Sequence, residues 1–137
     1  MSDDKVGFGR RKNVHRWSLA AWFARFHCAF RGWWLGSCDQ SSFRIHYLAA
    51  VFVIGLGSYL GCELWEWVML VLCISVVWMA ELMNSAIEAL SRAVTLEYDE
   101  RIRDALDIAS GAVLVVSLGS AVIGSMIFLP KLLQLFF

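Results

Sequence analysis

Apolar residues in this chain come in long blocks, not in alternation. Residues 45–62, 64–80 and 108–129 are dominated by Val, Ile, Leu, Phe, Ala and Gly, with very few charges. A helix needs about 20 such residues to cross the hydrocarbon core of a bilayer. The first two blocks are near the short end of that requirement and the third meets it comfortably. No Pro or Gly interrupts the second block before Leu90, so the pattern predicts one helix over 64–90. Pro130 is expected to end the third span at 129. Upstream, Trp17, Phe23, Phe26, Phe30, Trp33 and Trp34 interleave with Arg16, Arg25, His27 and Arg31. That spacing predicts an amphipathic helix over 13–35 lying in the membrane interface, aromatics on one side and Arg on the other.

The fold class that follows is an all-α membrane protein, with an N-terminal interfacial helix and three transmembrane helices over about 45–62, 64–90 and 108–129. Residues 1–12 read as a flexible tail and 13–137 as a single membrane domain. The polar stretch 36–42 is expected to connect the interfacial helix to the first span. Gly55, Gly57 and Gly61 suggest close helix contact there, as do the small residues at 110–112 and 119–121 in the third span. Trp65 and Trp67 sit where an aromatic belt would.

Composition agrees with this reading. Of 137 residues, 59% are hydrophobic and 18% charged, and a soluble domain of this length cannot bury so much apolar surface. The net charge of zero hides an asymmetry. Eight of the twelve Lys and Arg lie in residues 1–44, and Arg92, Arg101 and Arg103 lie between the second and third spans. The positive-inside rule puts the N-terminus and the 91–107 loop in the cytoplasm. Lys131, near the opposite end, is the exception. The polar, basic first 16 residues do not read as a signal peptide. Cys28, Cys38, Cys62 and Cys73 form no metal-ligand spacing and read as apolar filler.

The chemistry is concentrated at the end of the second span. Glu81, Asn84, Ser85 and Glu88 follow one another at helical spacing and share a face. Ionisable groups at membrane depth are costly and mark function, so two carboxylates on one stripe point to catalysis or cation binding at the membrane surface. His46, just inside the first span, reads as an interfacial residue.

Four pieces of sequence carry a resemblance. Phe43-Arg44-Ile45-His46, Glu81-Leu82-Met83-Asn84-Ser85-Ala86-Ile87-Glu88, Glu97-Tyr98, and Asp107 ahead of Ser110-Gly111-Ala112 together resemble the prokaryotic diacylglycerol kinase family. The Phe-Arg-Ile-His form looks more like its undecaprenol kinase branch. The resemblance covers about residues 28–129. It implies a homotrimer in the bacterial inner membrane that transfers the γ-phosphate of ATP to a lipid hydroxyl at the cytoplasmic face, using Mg. Its partners are then the membrane and a lipid substrate, with no nucleic acid.

By position, the resemblance makes Glu81 the general base, with Asn84 beside it in the catalytic site, and Glu88 a metal ligand that also meets ATP. Glu97, Tyr98, Asp99 and Asp107 fall among the nucleotide contacts. Ser85, Phe43, Arg44 and Ser110 fall on the lipid side. The chain departs from the family pattern at Gln40, where a second metal-binding Glu is expected and Gln offers only a neutral carbonyl. It departs again at Leu106, in place of a phosphate-binding Lys, and at Arg92, in place of an Asp. Asp39 could substitute as metal ligand. Arg92 could supply the missing cation, or form an ordinary helix pair with Glu88. Two other classes stay open: a family member that keeps the scaffold for lipid or nucleotide binding without catalysis, and a small transporter using Glu81 as a proton site.

Overall fold

A computed structural model describes residues 19–38 and 41–136 of the chain. All the regular structure among them is helical: α1 (Leu19–Cys38), α2 (Ser41–Tyr59), α3 (Leu64–Val94) and α4 (Glu100–Phe136). Asp39, Gln40 and the expected tail and helix start at 1–18 lie outside the described residues.

The chain divides into two compact units at Trp33 and Trp34. In the first, α1 displays Trp22, Phe23, Phe26 and Phe30 on its surface. Neighbouring rings touch: Trp22 and Phe26 have centroids 6.1 Å apart, and Phe30 and Trp33 5.5 Å. The Arg25 guanidinium lies over the Trp22 ring at 5.6 Å, a cation–π contact. The expected separation of aromatic and Arg faces is therefore incomplete, because an Arg borders the aromatic face and folds back over it.

In the second unit, three helices pack in sequence. The α2–α3 turn is built by Gly61, whose φ of +63° lets the Cys62 N–H bond to the Gly57 carbonyl at 3.0 Å. That is a Schellman closure, and it favours Gly at this position. Gly57 also admits the Trp67 ring, which would lie 3.1 Å from any Cβ placed there; Gly55 faces open space. Of the three glycines, one makes the turn, one allows the close contact and one does neither. Gly111 and Gly119 on α4 likewise have nothing within reach of a Cβ.

α3 and α4 form a long antiparallel pair. Leu70, Ile127 and Phe128 are its buried core, with Val53 and Leu56 of α2 packed against them. Helix α4 is longer than the third apolar block suggests. It starts at Glu100, and Pro130 lies inside it. Proline there costs the Met126 carbonyl its usual N–H partner, which membrane helices tolerate. The expected 91–107 loop is mostly helix as well, interrupted between Val94 and Glu100. The connection expected over 36–42 is also mostly helical: α1 continues to Cys38 and α2 begins at Ser41. Leu64–Val94 and Glu100–Leu135 are long and apolar enough to cross a membrane, and Phe43–Tyr59 is a shorter apolar helix.

Candidate functional site

The buried side of α3 reads Glu66, Leu70, Val77, Glu81, Asn84, Ser85, a single helical stripe that is polar at both ends and apolar between them. With a rise of about 1.5 Å per residue, Glu81 stands about 26 Å from Leu64 and Glu88 about 36 Å. The hydrocarbon core is about 30 Å thick. A span starting at Leu64 thus carries Glu81 to the edge of the hydrocarbon and Glu88 beyond it.

Glu81 is 2% exposed and Asn84 6%. The Asn84 Nδ2 donates to Glu88 Oε1 at 2.8 Å, and Arg92 Nη1 lies 3.7 Å from Glu88 Oε2, one turn on. Glu88 is therefore held between an amide and a guanidinium on its own helix. Three buried oxygens of the stripe, Glu81 Oε1, Asn84 Oδ1 and Ser85 Oγ, have no hydrogen-bond partner. Unpaired buried polar atoms are costly, and three together on one face describe a surface shaped for something that completes it. Asn84 Oδ1 and the Glu88 carboxylate beside it are oxygens of the kind a hard cation such as Mg accepts. No group of three His, Cys, Asp or Glu side chains converges among the described residues. An ion here would thus draw the rest of its shell from water or phosphate oxygens.

The stripe has walls from other elements. Phe43 of α2 is 4% exposed, its ring 5.7 Å from that of Trp78, while Arg44 turns outward. Gly36, in the final turn of α1, lies close to Leu82, whose Cδ2 would be 2.6 Å from a Cβ there. From α2, the His46 Nε2 stands 4.0 Å from Glu81 Oε2. His46, expected as an interfacial residue, faces the Glu81 carboxylate. Only the packing of α2 on α3 reveals this, because 35 residues of sequence separate the two.

An apolar groove of about 380 Å³ runs between α2, α3 and α4, lined by Val53, Cys73, Val77, Ser117 and Phe128, with His46 and Trp78 at the end nearer the stripe. Trp78 Nε1 and Ser117 Oγ are buried without partners.

The other expected site residues lie on the α3–α4 turn and the first turns of α4, and their hydrogen bonds are local. Asp99 Oδ1 accepts from the Arg101 and Ile102 N–H groups at 2.8 and 3.3 Å, capping α4. The Tyr98 hydroxyl accepts from Arg103 Nη1 at 2.8 Å. The Glu97 N–H bonds to Thr95 Oγ1, and Ser110 Oγ donates to the Leu106 carbonyl. Glu97 and Asp107 are exposed. The structure thus gathers Phe43, Glu81, Asn84, Ser85 and Glu88, and sets Glu97, Tyr98, Asp99, Asp107 and Ser110 on an open surface.

Residues 27–128 match the sequence profile of the prokaryotic diacylglycerol kinases. The chain belongs to that family. Membership places it among the lipid kinases, membrane enzymes that draw phosphate from a nucleotide. The chain is similar to an undecaprenol kinase of Bacillus subtilis, with 36% identity over 86% of this chain and 96% of that one. It is also similar to a diacylglycerol kinase of Synechocystis, with 34% identity over 91% of this chain and 71% of that one.

Proposed function

We propose that this kinase transfers the γ-phosphate of ATP to the hydroxyl of a membrane lipid alcohol, a diacylglycerol or undecaprenol, at the cytoplasmic face of a bacterial inner membrane. The observation that carries the reading is the buried Glu81 carboxylate. Its Oε1 is unpartnered at the level where the span leaves hydrocarbon, the depth at which a lipid hydroxyl sits. Phosphoryl transfer asks little covalent chemistry of a protein and much positioning. Glu81 takes the proton from the attacking hydroxyl. Asn84 fixes Glu88 by its N–H and keeps its own Oδ1 toward the site.

Glu88, Asn84 Oδ1 and the side chains of Gln40 or Asp39 are the groups that would hold Mg. When bound, such an ion supplies neutralisation of phosphate charge. Glu97, Tyr98 and Asp107, at the mouth of the α3–α4 turn, would meet the nucleotide. The apolar groove reaching His46 and Trp78 suits a hydrocarbon chain and supports a lipid over a soluble alcohol. Exposed apolar side chains along α2 and α4, such as Phe52, Leu114 and Leu118, leave room for neighbouring subunits, and a homotrimer would close the site on its open side.

The test is transfer of radiolabelled phosphate from ATP to diacylglycerol and to undecaprenol with purified protein in nanodiscs. Product from at least one lipid, dependent on Mg and absent in Glu81→Gln, is expected. No product from either lipid would rule the reading out.

A further inference from the structure

The two oxygens of Glu81 differ in their surroundings. Oε2 faces the His46 imidazole at 4.0 Å; Oε1 is buried with no partner. Among the described residues, the titratable groups whose charge bears on Glu81 are His46 from α2 and Glu88 from its own helix. The part of α4 that lines the adjoining groove, Ser117 to Leu129, contributes none. Burial differs too: Glu81 is sealed at 2% exposure, whereas the His46 side chain is 20% exposed. His46 therefore bridges a closed carboxylate and a more open region.

We propose that His46 is the positioning residue of Glu81: it packs against Oε2 so that Oε1 is the oxygen left for the lipid hydroxyl, and it relieves Glu81 of the proton after each transfer. This rests on the kinase reading above. The lipid O–H bond breaks as its oxygen forms a bond to the γ-phosphorus and the bond from that phosphorus to the β,γ-bridging oxygen breaks. ADP leaves with that bond's electron pair, and the hydroxyl proton goes to Glu81. The Nε2 lone pair of neutral His46 then accepts that proton, restoring the carboxylate, and the imidazolium loses it to water. One proton is released per turnover. A carboxylic acid enclosed at 2% exposure has no comparable opening, so without His46 the return of Glu81 to its basic form limits the cycle.

The experiment compares wild type, His46→Gln, His46→Ala and Glu81→Gln in nanodiscs, each first checked for wild-type gel-filtration behaviour and helical circular dichroism. In His46→Gln, kcat is expected to fall at least about tenfold, less than the ~10²–10⁴-fold of a group that itself takes the substrate proton, with the KM for ATP within twofold of wild type. The shape of the kcat–pH profile is expected to differ between wild type and His46→Gln, which a merely structural role would not produce. Added imidazole should restore His46→Ala and leave Glu81→Gln inactive.

A well-folded His46→Gln with kcat within twofold of wild type across the pH range would overturn the proposal, as would a folded but impaired His46→Ala that imidazole does not restore. Both outcomes leave an active wild-type kinase. A wild type that phosphorylates neither lipid removes the kinase reading, and this proposal with it.

Discussion

Lys131 Nζ lies 2.9 Å from Glu66 Oε2, tying the start of α3 to the end of α4 at the opposite end of the pair from the acidic stripe. The same oxygen accepts the Glu63 N–H, so one carboxylate both closes the first turn of α3 and pairs with a cation from α4. This also accounts for the one basic residue that breaks the charge asymmetry of the chain. Within the fold, Lys131 is paired with Glu66.

Removing one partner of this pair leaves the other buried and uncompensated, the expensive way to break an ion pair. Lys131→Met is expected to lower the melting temperature by several degrees. The double variant Glu66→Gln, Lys131→Met should recover part of that loss. Thermal denaturation of the three proteins in one detergent measures both effects.

Glu81→Gln keeps the size and burial of the side chain and removes its basicity. Loss of a general base typically costs about 10²–10⁴-fold in rate. A fall of that size in lipid phosphorylation is expected, with nucleotide binding retained. Radiolabelled transfer together with ATP binding by equilibrium dialysis distinguishes this from misfolding.

Asn84→Ala removes the 2.8 Å bond that fixes Glu88 and one unpartnered oxygen of the stripe. The Glu88 carboxylate then swings toward Arg92. The Mg concentration giving half-maximal activity is expected to rise about tenfold, the low end for lost support of a metal ligand. A magnesium titration of the rate reads it directly.

Arg92 is 58% exposed and one helical turn from Glu88, the geometry of a solvent-screened i,i+4 pair worth a few tenths of a kcal/mol. Arg92→Ala is therefore expected to change stability by less than about 0.5 kcal/mol and to leave turnover within twofold. A large rise in the KM for ATP would instead make Arg92 the phosphate cation that Leu106 does not supply.

Gly57 and Gly55 lie on one helix and should answer oppositely to substitution. A side chain at Gly57 must displace the Trp67 ring, 3.1 Å from the first added carbon, and overpacking of this kind costs about 1–3 kcal/mol. Gly57→Val should destabilise by that amount. Gly55→Ala meets nothing and gains helix propensity, up to about 1 kcal/mol. Denaturation midpoints of the two variants check the sign of each.

Much of this protein is readable along the chain. Hydrophobic blocks of membrane length announce helices, because the backbone in lipid must satisfy its own hydrogen bonds. The face shared by Glu81, Asn84, Ser85 and Glu88 is legible because helical spacing is local. Family membership rests on the same short-range pattern. Helix ends are less legible. Pro130 reads as a stop, and neighbouring helices let it sit within α4. Residues 36–38 read as a polar linker, and they continue α1.

What the linear order determined, then, is the set of helices and the carboxylate stripe, both consequences of periodicity within one segment. The tertiary structure alone decided which groups that stripe meets: His46 at Glu81, Glu66 at Lys131, Leu82 at Gly36. Each pair joins residues of different helices, and contacts between helices depend on how side-chain volumes fit when the helices pack. No spacing within a single segment encodes that fit.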